Sequence, residues 1–190
     1  MTTSESSIVI RAATSDDVAA ITQIINALIG TTTYEWTEIP YSIDERRRWF
    51  RDKERTANPV LVAEDGGEVV GWATFGDFRD SRRWPGYRYT VEHSIHVAVS
   101  HWGRGVGRRL KIELANRARA DGMRVMVAAI DSSNVRSIDF HVRMGFAEVG
   151  RMPQVGEKWG QRLDLVLMQH ELDEPFRHEE APTRQGGGST

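Results

Sequence analysis

The stretch Trp102-Gly103-Arg104-Gly105-Val106-Gly107-Arg108-Arg109 constrains this chain more than any other, because of what flanks it. The run Tyr89 to Val99 alternates and predicts a strand, while Leu110 to Ala120 carries apolar residues at helical spacing. A glycine-rich turn between strand and helix leaves several N–H groups unpaired at a helix N-terminus. That is an anion site suited to a phosphate or pyrophosphate. A merely tight strand-to-helix turn would use glycines as well.

Two familiar phosphate loops fit badly. A Walker-type loop ends in Gly-Lys-Ser/Thr, and here Gly107 is followed by Arg108 and Arg109. A dinucleotide fingerprint needs a third glycine where Arg108 stands, and such loops usually open a domain instead of lying past mid-chain. The stretch instead resembles the loop of the GNAT superfamily of acyl-CoA N-acyltransferases, with pattern Gln/Arg-x-x-Gly-x-Gly/Ala. Gly105-Val106-Gly107 matches it, with Trp102 where Gln or Arg is usual. Main-chain N–H groups do most of the holding in such a loop, so the departure is expected to be tolerated.

A length of 190 residues suits one domain with a proper core. The net charge of -2 gives no bulk attraction for nucleic acid, and the arginines between Asp44 and Arg55 alternate with acids as on a solvated helix face. The absence of cysteine excludes disulfides, thiolate metal sites and cysteine nucleophiles. His93 and His96 fall on opposite faces of the predicted strand, which argues against a shared metal ion. Residues 1–7 are short and polar, with no signal-peptide pattern, and the chain shows no membrane span. The expected organisation is a disordered 1–7, a folded domain over 8–172 and a disordered tail over 173–190, in a cytoplasmic protein.

Ile8 to Ala12 reads as a strand, and Thr14 to Asp17 caps a helix to about Ile29 striped by Ile21, Ile24, Ile25 and Leu28. Ser42-Ile43-Asp44-Glu45 opens a second helix through about Lys53. Val60 to Glu64 and Glu68 to Phe78 form a hairpin about Gly66-Gly67, and an irregular loop spans Arg79 to Arg88. After the strand Tyr89 to Val99 and the helix Val106 to Ala120, Val125 to Ile130 reads as a strand buried on both faces. A short helix, Asn134 to Met144, precedes closing strands Phe146 to Met152 and Leu163 to Met168 around a loop at Pro153 to Gly160. The order β-α-α-β-β-β-α-β-α-β-β predicts an α+β domain with one mixed, mostly antiparallel sheet flanked by helices.

Acyl transfer from a thioester to an amine needs a proton acceptor, donors for the oxyanion and protonation of the leaving thiolate. Thr90, Glu92, Ser94 and His96 give the central strand a polar face, which predicts either a water-filled cleft with Glu92 as base or a solvated edge. Arg79 and Arg88, with Trp84 and Tyr87, either hold the carboxylate of an amino acid or simply face solvent. Tyr34 and Trp36 either wall a pocket or pack the first helix. His141, on the short helix, is either a structural histidine or one that titrates near the chemistry.

Pro59 to Glu64, Gly76-Asp77-Phe78-Arg79, Tyr89 to Ser94, Val125 to Ile130, Met152-Pro153-Gln154-Val155-Gly156 and Leu163-Asp164-Leu165 resemble the phosphinothricin acetyltransferase-like branch of GNAT, nearest to methionine sulfoximine/methionine sulfone acetyltransferases. The likeness runs from about Ile8 to Leu172. It implies the GNAT fold, acetyl-CoA as co-substrate without a metal, a small amino-acid acceptor and a homodimer. By position it implies that Glu92 assists amine deprotonation and that Arg79, Glu92, His93 and Ser94 line the acceptor site. Ile95, His96 and Val97 would meet the acetyl-pantetheine arm. Gly103, Arg104, Gly105, Val106, Gly107 and Arg108 would cradle the pyrophosphate, with Asn134 touching the CoA moiety. His141 matches a histidine of the branch and would serve the departing thiolate, in place of the tyrosine common elsewhere in GNAT. Departures are His96 for tyrosine, a loop at Asp80 to Pro85 longer by about three residues, and Asp77-Phe78-Arg79 where relatives have Asp-Trp-Arg. Other acceptors (a protein N-terminus, a polyamine, an aminoglycoside) and a non-catalytic acyl-CoA-binding module stand as alternatives.

Overall fold

A computed structural model describes residues 8–173, so the expectations for 1–7 and for 174–190 lie outside the described residues. The elements follow the predicted order: β1 (Val9–Ala12), α1 (Val18–Ile29), α2 (Ile43–Arg55), β2 (Val60–Asp65), β3 (Glu68–Asp77), β4 (Thr90–Val97), α3 (Val106–Ala120), β5 (Val125–Asp131), α4 (Val135–Arg143), β6 (Ala147–Lys158) and β7 (Gln161–Glu171). Seven strands form one sheet in the order β1-β2-β3-β4-β5-β7-β6. Only β4 and β5 pair in parallel; the other neighbours are antiparallel.

Alternation along the strands sends side chains to two cores. Leu61, Ala63, Ala73, Phe75 and Val91 pack under α3, with Ile138 and Phe140 of α4 against the same cluster. Val60, Val62 and Trp72 face the other way, onto Ile21, Ile24 and Ile25 of α1 and Phe50 of α2. The helix starts were legible: Ser42 and Glu45 make a reciprocal capping box at α2. The β2–β3 turn falls at Gly66-Gly67, both at positive φ, as a tight hairpin requires.

Two expectations need correction. The loop expected at Pro153 to Gly160 is strand: β6 runs to Lys158 and turns at Trp159-Gly160, with φ of 51° and 73°, straight into β7. Pro153 is accommodated because the register shifts between Met152 and Gly156, with Gln154 at φ 52° and its N–H donating to Asp164 Oδ1 at 2.8 Å. A bulge lifts proline out of the ladder, so proline and glycine here mark an irregular strand, not its end. β5, expected to be buried throughout, exposes Ala129 to a cavity.

Candidate active site

The β4–β5 pairing stops at Glu92↔Val127, and the strands then part. Between them lies a cavity of about 790 Å³, walled by His93 to Val97 on one side and Ala128 to Asp131 on the other. Its wall residues come from both faces of the sheet. Ile95 and Val97 belong to the α3 side, whereas His96 stacks on Trp72 of the α1 side at 4.4 Å.

One end of the cavity is the glycine turn. Gly103 and Gly105 have φ of 77° and 79°, a conformation glycine adopts without steric cost. Gly105 is the N-cap of α3 and no side chain caps the helix, so the amides of Val106, Gly107 and Arg108 are open donors at the positive end of the dipole. Arg108, Arg136 and Arg143 also line the cavity. Asn134 lines it while its side chain accepts from Ser137 N at 3.1 Å, capping α4. Trp102 earns its place differently from a cation: its indole N–H donates to the Val97 carbonyl at 2.8 Å, and Arg136 lies 5.1 Å over the ring. Arg104, expected here, points away to Asp65 at 3.4 Å.

The two strand histidines separate as the alternation required. His93 lies on the α3 side with its Nε2 3.2 Å from Nε2 of His141, over Phe146. His141 Nδ1 is 2.7 Å from the Ser137 carbonyl. A carbonyl only accepts, so Nδ1 carries the proton and Nε2 accepts from His93. Both nitrogens of His141 are therefore engaged, and burial lowers its pKa to about 3. The expected role as proton donor to the thiolate does not fit this bonding. Beneath the pair, Lys111 is fully buried, with its amine 3.1 Å from Met126 Sδ and 4.2 Å over the Phe146 ring. Desolvation holds Lys111 far below the ordinary lysine range and keeps His93 neutral as well.

On the α1 side, Glu92, Ser94 and His96 share one face of β4. Glu92 is half-buried with no hydrogen-bond or ion-pair partner among the described residues, and burial raises its pKa. It stands next to the cavity and not in its wall. The Lys53 ammonium of α2, bonded to the Phe75 carbonyl at 2.7 Å, lies beside Gly76, the register partner of Glu92. Further along, Glu35 lines the cavity with Oε1 3.6 Å from His96 Nδ1. Burial pushes Glu35 up to about 7 against the opposing charges of Lys158 and Arg46. Its segment is clasped by the β6 end: buried Lys158 donates to the carbonyls of Ile29, Thr32 and Glu35 at 2.8, 2.7 and 2.7 Å. Trp36 packs on Gly156 and donates to Asp131 Oδ2 at 3.3 Å.

A family model described as Acetyltransferase (GNAT) family matches residues 21–146. The chain belongs to the GNAT acetyltransferase family. Among its relatives, the L-methionine sulfoximine/L-methionine sulfone acetyltransferase of Pseudomonas aeruginosa is 47% identical over 158 residues, covering 83% of this chain and 90% of that protein. The phosphinothricin N-acetyltransferase of Alcaligenes faecalis is 34% identical over 86% of this chain and 82% of its own length. The structure of Salmonella typhimurium yncA with its cofactor acetyl-CoA superposes with a TM-score of 0.82 at 44% identity, covering 88% of this chain and 95% of that one.

Within this GNAT site, the structure brings together His93, Ser94, Ile95, His96, Val97, Gly103, Gly105, Val106, Gly107, Arg108, Asn134 and His141. It does not bring Arg79 or Arg88 to the cavity: both are exposed, Arg79 near the Phe78 ring and Arg88 bonded to the Pro85 carbonyl at 2.9 Å. Trp36 supports the wall through Asp131 without lining it. Sequence reasoning missed Glu35, Lys53, Lys111, Asp131 and Lys158. Only Lys111 left a trace, since its spacing to Ala115 and Ala118 puts it on the apolar stripe of α3.

Proposed function

We propose that this chain transfers the acetyl group of acetyl-CoA to the α-amino group of a small amino acid, of the methionine sulfoximine, methionine sulfone or phosphinothricin kind, directly and within a ternary complex. The observation that carries the reading is the continuous cavity from the open α3 N-terminus, along the unpaired edge of β4, to the face bearing Glu92, Ser94 and His96. The pyrophosphate sits on the amides of Val106, Gly107 and Arg108, and the arm follows Val97, His96 and Ile95.

The acceptor lies along the α1 face of β4 with its amine at Ser94. Its carboxylate faces the Lys53 ammonium, and Glu92 takes the ammonium proton through water. Burial suits Glu92 to this, because a carboxylate with a raised pKa is a better base near neutral pH. The amine nitrogen bonds to the thioester carbon, a main-chain N–H of β4 steadies the oxyanion, and the carbon–sulfur bond breaks. The thiolate takes its proton from water in the cavity, and His141 instead locks His93 in one tautomer.

A homodimer in the cytoplasm is part of the same proposal. No helix among the described residues is long and apolar enough to cross a membrane, and Val149 and Val155 of the edge strand β6, with Trp159 in the turn after it, expose apolar surface. Size-exclusion chromatography with light scattering tests the dimer. Release of free thiol from acetyl-CoA across a panel of amino acids, polyamines, aminoglycosides and peptides tests the activity. Release with small amino acids is the expected result, and none with any amine would overturn it.

A further inference from the structure

The cavity carries charged side chains of both signs. Its arginines, Arg108, Arg136 and Arg143, come from the α3 and α4 end. Its acidic side chains, Glu35 and Asp131, come from the α1–α2 segment and from the end of β5. Both oxygens of Asp131 are engaged, by Trp36 Nε1 and by the Ser133 N–H at 2.8 Å. Glu35 keeps acceptor capacity to spare, since no side-chain hydrogen bond among the described residues engages its carboxylate and His96 Nδ1 lies 3.6 Å away.

We infer that Glu35 sets the acceptor side-chain preference of this enzyme, favouring groups that donate a hydrogen bond or carry positive charge and disfavouring anionic ones. The inference rests on the acceptor pose proposed above: with the amine at Ser94 and the carboxylate toward Lys53, the side chain runs along β4 toward His96 and Glu35. A sulfoximine offers an N–H to the carboxylate. A sulfone offers only oxygen acceptors, and a phosphinate brings a second negative charge. The order of preference is therefore sulfoximine, then sulfone, then phosphinothricin.

The groups facing Glu35 are His96 from β4, Arg46 from α2, Lys158 from β6 and Asp131 across the cavity from β5. Neither Arg46 nor Lys158 lines the cavity, so their charges stand behind the carboxylate and do not present a cation to the acceptor. His96 stays neutral down to about pH 3. Glu35, by contrast, changes charge at about pH 7. Discrimination against the phosphinate therefore strengthens as pH rises through that value. The titration of the amino-acid head, common to all three acceptors, cancels in the ratio.

The test measures kcat/KM for methionine sulfoximine, methionine sulfone and phosphinothricin between pH 6 and 8.5, in the wild type, Glu35→Gln and Glu35→Met. Lys158 holds this residue by its carbonyl, a bond that either substitution should leave in place. Acetyl-CoA affinity and melting temperature verify that. In the wild type the sulfoximine-to-phosphinothricin ratio should rise about tenfold or more across the range, as expected for two like charges several ångströms apart. In Glu35→Gln the ratio should become independent of pH, with phosphinothricin improved. In Glu35→Met the advantage of sulfoximine over sulfone should vanish. Ratios and pH profiles unchanged by either substitution would overturn the role of Glu35 and leave the proposed activity standing. Failure of the wild type to acetylate any of the three would overturn the activity itself.

Discussion

Adding one methyl group at Gly156 should damage the acceptor site from the far side of the β6–β7 hairpin. A Cβ built there overlaps Cε3 and Cζ3 of Trp36 and comes within 3.0 Å of Cδ2. Ordinary carbon contacts lie near 3.5–4.0 Å, so the indole must withdraw by roughly an ångström. Trp36 is the residue after Glu35 and its N–H is bonded to Asp131, already at a long 3.3 Å. Withdrawal breaks that bond and shifts the cavity wall. Overpacking of this kind costs about 1–3 kcal/mol, and the acceptor must repay it to restore the wall on binding. In Gly156→Ala the acceptor KM should therefore rise about 5- to 150-fold. Acetyl-CoA affinity should hold, because the α3 N-terminus touches neither residue. Initial rates at saturating acetyl-CoA give KM, and calorimetric titration gives the coenzyme affinity. A KM within about twofold of wild type would refute the coupling of hairpin to site.

Glu92→Gln should keep acetyl-CoA binding and lose turnover by about 10²–10⁴-fold, the usual worth of a general base; undiminished turnover removes Glu92 from the mechanism. Gly105→Ala forces an L side chain to φ 79° and should weaken acetyl-CoA binding about 5- to 30-fold. Gly107→Ala places its methyl 3.7 Å from Phe140, an ordinary contact, and calorimetry should find it near wild type. Stability to urea should fall as pH drops from about 6.5 to 5. Unfolded histidines bind protons there, whereas His96 and His141 stay neutral to about 3 and His93 is held neutral too, so the unfolded state takes up more protons. Glu35, raised to about 7, and Glu92, raised by burial, work in the opposite direction but are two groups against three. His141→Asn should flatten the slope, and a wild type without any slope would contradict the buried neutral pair.

The fold was legible because its signals are local. Periodicity placed α1 and α3, a capping box opened α2, and Gly66-Gly67 fixed a hairpin. The phosphate end was legible for the same reason, since a glycine turn binds through its own backbone. The β6–β7 hairpin was misread because a bulge is a tertiary accommodation: Pro153 and Gly156 look like breakers until the pairing with β7 is known. The acceptor end was largely hidden. Glu35 in a polar segment reads as solvated, and only the clasp by Lys158, more than a hundred residues later in sequence, shows that it is not. Loop arginines were overrated because charge is visible in a sequence and direction is not.

The parting of β4 from β5 also bears on how this molecule behaves when empty. Past Glu92 the β5-facing edge of β4 pairs with no strand among the described residues, and the Val97 carbonyl is taken by Trp102. A guest carrying amide groups of its own can supply those missing partners, acting as a short eighth stave in the wall. Slower amide exchange at residues 94–97 in the loaded protein than in the empty one would register that role, with the acetyl carrier serving as part of the scaffold it reacts in.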